Sequence, residues 1–347
     1  RASKRGGQGH DHPHPSSKGV RKQKRTPQGL ILRRPLHRLA FLPFFGEYHT
    51  TLQFAIKNCA VRAYPLWKRG NEMERTMAFL GGDQRMRLLA QMMAAEGYEV
   101  CSWELPGAPN PQALCDALRA ECIVLPLPME KNGYLNGTEM TTERLFRALR
   151  PEHRIFAGNV SGEAMALADA LGLHITDYFA AEELSVRNAV PTAEGAIETA
   201  MKHTSVTLHG TPCLVVGFGR VGKLLAHDLH ALGAKVSVSA RKLSDLAWID
   251  AFGYAPLHTN RLSGTLGAFR VVFNTVPHPV LDEALLSELP RDCLLIELAG
   301  ASGFDLDAVE RLRLSYLRAP GLPGIVAPET AAHAIKKTLC RLMEEDA

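Results

Sequence analysis

The segment "VVGFGRVG" (Val215–Gly222) constrains the fold more than any other part of the chain. A β-branched apolar run leads into it, and an Ala/Leu-rich helical pattern follows. A second apolar run, "AKVSVSA", comes one helix later. A G-x-G-x-x-G turn in that setting reads as the first βα turn of a dinucleotide-binding βαβ unit. Gly217 permits the tight turn. Gly219 lets the backbone approach a pyrophosphate, and Gly222 packs the helix on its strand. The helix start carried by Arg220 and Val221 offers free N–H groups and partial positive charge to phosphates.

Such a unit calls for an acid at the end of its second strand, to hold the ribose hydroxyls of NAD. Ala240, Arg241 and Lys242 stand there instead. Arg241 offers a planar fork to a phosphate, Lys242 a second cation, and Ser239 a hydroxyl. These residues favour NADP over NAD; a solvated basic pair at a strand end is the alternative. In "VVFNTVP" (Val271–Pro277), Asn274 and Thr275 are candidates for the nicotinamide ribose. Val276 completes that cofactor segment, and Pro277 ends the strand.

Around this unit, short apolar runs alternate with helical patterns from Met77 onward. "MAFLGG", "YEVCSW", "CIVLPLP", "HRIFAGNV" and "LHITDYF" read as five strands separated by helices. Short connections of that kind give a parallel, doubly wound sheet covered on both faces. "PTAEGAIETAMKHTS" reads as a connecting helix with Pro191 in its first turn. "PCLVVGFG", "AKVSVSA", "RVVFNTVP", "DCLLIELAG" and "LSYLRAPG" then supply a second sheet. The expected fold is α/β, with a flavodoxin-like domain over residues 73–190 and a connecting helix over 191–207. A Rossmann domain follows over 208–325, and a helix over 326–347 returns to the first domain. Ligands bind between the carboxyl ends of such strands.

The net charge of +4 hides two regions of opposite sign. Residues 1–72 hold 15 Lys and Arg against 3 Asp and Glu, whereas the rest holds 25 against 33. The mildly acidic body argues against nucleic-acid binding, which needs a clustered basic surface. The leader reads as a disordered basic tail or as non-native translation upstream of Met73. Its His10, His12 and His14 are only a compositional hint of metal binding, and no metal site is expected. No apolar run reaches the roughly 18 residues a membrane span needs. Seven scattered cysteines without a C-x-x-C read as reduced thiols of a cytoplasmic protein.

In the first domain, "GGDQR" (Gly81–Arg85) stands out. Arg85 can hold a carboxylate bidentately from the helix start, and Asp83 is a substrate-site candidate beside it; a surface Arg on a helix that Asp83 caps is the alternative. Ser161 in "GNVSG" is a candidate for a second anionic group, and Arg187 and Asn188 face the expected hinge. The catalytic acid or base is left open among Glu194, Glu297 and His278.

The order of several segments resembles the dipicolinate synthase A-subunit family of endospore-forming bacteria. They are "GGDQR", "RNAVPTAEGAIETAM", the dinucleotide fingerprint, "VVFNTVP" and, most specifically, "APGLPGIVAPETAAHAI" (Ala319–Ile335). The resemblance covers about residues 77–345. "IELAGASGFD" (Ile296–Asp305) departs from the family pattern, which has "LAS", a Pro and paired glycines after the acid. The resemblance implies oxidation of 4-hydroxy-tetrahydrodipicolinate, or of dihydrodipicolinate, to dipicolinate during sporulation. NADP is then the cofactor, a small dicarboxylate the substrate and the dipicolinate synthase B-subunit the partner; a homo-oligomer is left open. Two other readings stand beside it. One is an NADP-dependent 2-hydroxyacid or amino-acid dehydrogenase of the same build. The other is a non-catalytic NADP-binding protein that activates a partner.

Overall fold

The computed structural model describes residues 76–345. The leader with its histidines, and Met73, lie outside the described residues. The first sheet opens with β1 (Thr76–Leu80), α1 (Gln84–Ala95), β2 (Glu99–Trp103), α2 (Leu114–Ala117) and β3 (Cys122–Val124). A small hairpin, β4 (Glu130–Lys131) and β5 (Tyr134–Leu135), precedes α3 (Thr142–Ala148). β6 (Arg154–Ala157), α4 (Gly162–Ala170) and β7 (Ile175–Asp177) complete this part. The strand order is β2-β1-β3-β6-β7, all parallel. Met77 and Phe79 pack into one core and Ala78 and Leu80 into another, so both faces of β1 are covered. That double burial is why the strands read as unbroken apolar runs.

Helix α5 (Glu182–His203) leads to the second sheet. It starts at Glu182, not at Pro191 as expected from the preference of proline for a first turn. Pro191 instead lies buried inside the helix, where the carbonyl of Arg187 loses its N–H partner. β8 (Pro212–Val216), α6 (Arg220–Ala231), β9 (Lys235–Ala240), α7 (Leu243–Ala251) and β10 (Ala255–His258) follow. Then come β11 (Val271–Asn274), α8 (Glu283–Leu286), β12 (Leu294–Glu297), α9 (Leu306–Leu312) and β13 (Ser315–Arg318). The order β10-β9-β8-β11-β12-β13 is that of a dinucleotide-binding sheet. β10 is absent from the strands expected on sequence. It contains Pro256, which a strand tolerates at a sheet edge, and β10 is the edge.

Short α10 (Leu322–Val326) and long α11 (Pro328–Glu345) end the described chain. α10 lies on α5, where a Cβ on Gly195 would stand 3.1 Å from Leu322. α11 enters the first sheet's core: Ile335 and Leu339 are fully buried with Phe79, Met86 and Leu89. Lys336–Glu96 and Arg341–Glu183 ion pairs flank this contact. α11 is therefore structural to the first sheet although it is last in sequence. Leu339→Ala should lower unfolding free energy by about 2–5 kcal/mol, the cost of an unfilled Leu-sized hole. Urea titration measures this; a loss under about 1 kcal/mol would mean that α11 docks only loosely.

Candidate functional site

The turn after β8 is built on its three glycines. Gly217 has φ +102°, a conformation open to glycine, and a Cβ there would stand 2.5 Å from Thr275 Oγ1. A Cβ on Gly222 would strike the carbonyl oxygen of Gly217, so only glycine lets α6 sit this close. Gly219 is different: nothing lies within 4 Å of the place its Cβ would take. It is the N-cap of α6, and no side chain caps that end. An open space beside uncapped N–H groups fits an anionic diphosphate. Arg220 begins α6, but its guanidinium is held by Glu182, with Nε 2.8 Å from Oε1. No local pattern signals that partner, because it begins a different helix.

At the end of β9, Arg241 and Lys242 are exposed and have no acidic partner among the described residues. Ser239 does not stand with them as expected. It is fully buried, it pairs in register with Val216 and Leu257, and its hydroxyl has no hydrogen-bond partner. Alternation along the strand turns it into the sheet's other face.

The end of β11 also differs from expectation. Asn274 is fully buried, and its Nδ2 donates to Glu297 Oε1 at 2.8 Å and to the Val276 carbonyl at 2.8 Å. Glu297 is 1% exposed. Its Oε1 also accepts from Ala299 N, and its Oε2 from Gly303 N at 2.8 Å. Asn274 and Glu297 thus serve each other and the neighbouring loops rather than a ligand. Thr275 is partly exposed and donates its hydroxyl to the Val216 carbonyl at 2.8 Å, bracing the glycine turn. Val276 is half-buried; Pro277 and His278 are exposed.

At the mouth of the first sheet, Asp83 caps α1 by accepting from Arg85 N at 2.9 Å. Arg85 is 6% exposed and is not a free cation. Its Nε and Nη2 bind Asp83, and Nη2 also donates to the Leu127 carbonyl. Gly324 of α10 roofs it, since a Cβ there would stand 2.7 Å from Arg85 Nε. The Asp83 side chain remains 42% exposed. Ser161 is likewise spent. It caps α4 and donates to Glu130, whose other oxygen accepts from Thr142. The N–H groups of Asn159 and Val160 are taken by Asp177.

On α5, Arg187 is exposed and Asn188 half-buried. The Asn188 Oδ1 atom is shielded from solvent and has no partner. Asn188 lies two turns before Gly195, on the stripe that meets α10. Glu194 is exposed on the same helix. The structure thus brings Asp83, Arg85 and α10 together with α5, and leaves Glu194 and His278 at the surface.

Burial pushes the thiols of Cys122, Cys213 and Cys293 up to about 12, which removes them as nucleophiles near neutral pH. No metal-holding group of three His, Cys, Asp or Glu occurs among the described residues. No helix among them is long and apolar enough to cross a membrane. Two surface hollows, one beside Thr76 and Glu99 and one beside Pro212 and Lys235, lie at the amino ends of strands. They are remote from the carboxyl ends where this chemistry gathers.

Residues 76–179 match the family model of the N-terminal domain of the dipicolinate synthase A-subunit. The A-subunit of dipicolinate synthase from Bacillus subtilis is 35% identical over 234 residues, covering 65% of this chain and 78% of that protein. The crystal structure of the A-subunit of dipicolinate synthase from Bacillus halodurans superposes with a TM-score of 0.71 at 26% identity. It covers 79% of this chain and 99% of that one. D-Lactate dehydrogenase of Escherichia coli, at 14% identity and a TM-score of 0.53, shares the fold over 78% of this chain and 96% of its own. Family match, sequence identity and superposition agree: the chain belongs to the dipicolinate synthase A-subunit family.

Proposed function

We propose that this chain is an NADP-dependent oxidoreductase that forms dipicolinate in the cytoplasm as one component of a two-subunit enzyme. Its substrate is 4-hydroxy-tetrahydrodipicolinate, or the dihydrodipicolinate left when that compound loses water, and the B-subunit is its partner. The observation that carries the reading is the open, uncapped start of α6 beside the exposed Arg241 and Lys242. Family membership supports the substrate and the partner.

NADP, when bound, supplies the hydride acceptor. The N–H groups of Gly219, Arg220, Val221 and Gly222 would hold its diphosphate, and Arg241 and Lys242 its 2′-phosphate. Arg187 is the exposed cation offered to a substrate carboxylate. Dihydrodipicolinate loses one hydride and one proton as its ring becomes aromatic. Asp83 is the half-exposed carboxylate that receives the proton, and Arg85 is the positioning residue that fixes it. Aromatisation supplies much of the driving force, so orientation is the main task of the protein.

Cofactor choice is the first measurable consequence. Wild type should prefer NADP to NAD by about 2–4 kcal/mol, and added salt should weaken NADP binding more than NAD binding. Ala240→Asp combined with Arg241→Ser should reverse the preference, because it adds a repulsive acid and removes the phosphate's partner. Calorimetric titration of both cofactors checks this, and equal affinities in wild type would reduce the basic pair to a solvated strand end. Arg187→Ala should raise KM by tenfold or more, about 1.5–3 kcal/mol, at little cost in kcat. Arg85→Ala should instead lower kcat by about tenfold to a hundredfold with KM nearly unchanged, because Asp83 loses its position. Steady-state assays with and without the B-subunit read both. Turnover only of 2-hydroxy acids would point to the dehydrogenase alternative, and none under either condition to a non-catalytic role.

A further inference from the structure

The Arg220–Glu182 pair joins two helix starts that belong to different parts of the molecule. Arg220 is the first residue of α6, in the middle of the phosphate turn. Glu182 is the first residue of α5, which leaves the first sheet just after β7. The contact is two-pronged, through Nε and Nη2, and both side chains are more than half exposed. The guanidinium holds the Glu182 acid below its ordinary value, so Glu182 stays ionised beside the turn at neutral pH. A carboxylate therefore already occupies the cation that adjoins the open space at Gly219.

We propose that Glu182 competes with the dinucleotide's diphosphate for the Arg220 guanidinium and so sets the affinity for the cofactor. The inference rests on the dinucleotide reading above and deepens it. A diphosphate on the uncapped N–H groups of α6 meets Arg220 within one residue of Gly219. Its oxygens offer that guanidinium a more highly charged, equally fork-shaped partner. Binding exchanges one ion pair for the other, and the free protein's pair is subtracted from the cofactor's apparent affinity. Because both side chains are solvated, the exchange is reversible and its effect modest. The competition acts at the diphosphate, which NADP and NAD share. It is thus separate from the selectivity exerted by Arg241 and Lys242 at the 2′-phosphate.

The test is calorimetric titration of NADP and NAD against the full chain and its variants. Glu182→Gln should bind both cofactors about three- to tenfold more tightly, by the same factor for each. Glu182→Asp, which retains the charge, should stay nearer to wild type. Arg220→Gln should weaken both cofactors, and adding Glu182→Gln to it should produce no further change, because Glu182 then has nothing to withhold. Glu183→Gln makes the same charge change one residue away, on a side chain committed to Arg341, and should leave both affinities within about twofold of wild type. An unchanged or lower affinity in Glu182→Gln overturns the competition. So does an equal gain in Glu183→Gln, or a gain that persists without Arg220, since either would mark general repulsion of the phosphates. If wild type binds neither dinucleotide, the proposed function fails and the competition with it. Binding with no Glu182 effect removes the competition alone.

Discussion

A buried carboxyl group with no ion-pair partner among the described residues holds the carboxyl edge of the second sheet together. Glu297 is satisfied by three N–H donors, from Asn274, Ala299 and Gly303, which tie the ends of β11 and β12 to the loop before α9. A polar group taken out of water is costly unless its atoms are met by hydrogen-bond partners. Here the donors come from the end of β11 and from the loop after β12, so both are fixed by the need to satisfy one buried carboxyl group. The fit leaves no slack: a Cβ on Gly303 would overlap the Asn274 amide. With that edge fixed, Thr275 is placed to brace Gly217, and the glycine turn keeps the shape that leaves Gly219 facing open space. The open start of α6, the proposed diphosphate site, is thus held from behind by buried groups that do not face it.

The carboxyl ends of the two sheets each carry an Asp/Glu–Arg pair, and exposure separates their roles. Arg85 is buried under Gly324 and also serves the Leu127 carbonyl, so releasing it would strand a charge in the interior. That pair is a fixed part of the mouth. Arg220 and Glu182 are open to water, where such a pair contributes little and is easily exchanged. The first pair is consistent with the proposed positioning of Asp83, and the second with the proposed exchange of partners at Arg220.

Much of this plan is legible in the sequence, and the parts that are not have identifiable reasons. Doubly covered strands are apolar throughout, so β1, β3, β8 and β11 announce themselves. Asp83, Ser161 and Thr141 are readable as helix caps because capping is local. β4 and β5 have two residues each, too few to show a period. α5 runs through Pro191 because its buried face packs on α6, α10 and α11, and tertiary contact outweighs the missing bond. Whether a polar residue at a strand end faces ligand or loop depends on distant residues. Asn274 looks available because nothing near it in sequence shows Gly303 and Glu297 closing around it. Ser239 is a case where the sequence holds the answer. Val236, Val238 and Ala240 share one face, which puts Ser239 on the other by parity alone.

The same contacts restrict what can bind. In a sheet ordered β2-β1-β3-β6-β7, the usual ligand crevice opens where β1 and β3 diverge. Here the chain itself occupies that place. Gly82 N donates to the Asn136 carbonyl at 2.7 Å, and a Cβ on Gly137 would stand 2.5 Å from the Gly82 carbonyl oxygen. The segment after β5 therefore lies backbone to backbone on the Gly81–Gly82 turn, tied down through Glu130 to the first residue of α3 and the cap of α4. A nucleotide-sized ligand has no crevice there. The first sheet keeps only the start of α1, with Asp83 and its buried Arg85, beside α5 and α10. An arrangement that is open at one sheet and filled at the other supports the proposal of a large cofactor on the second and a small molecule held against the first.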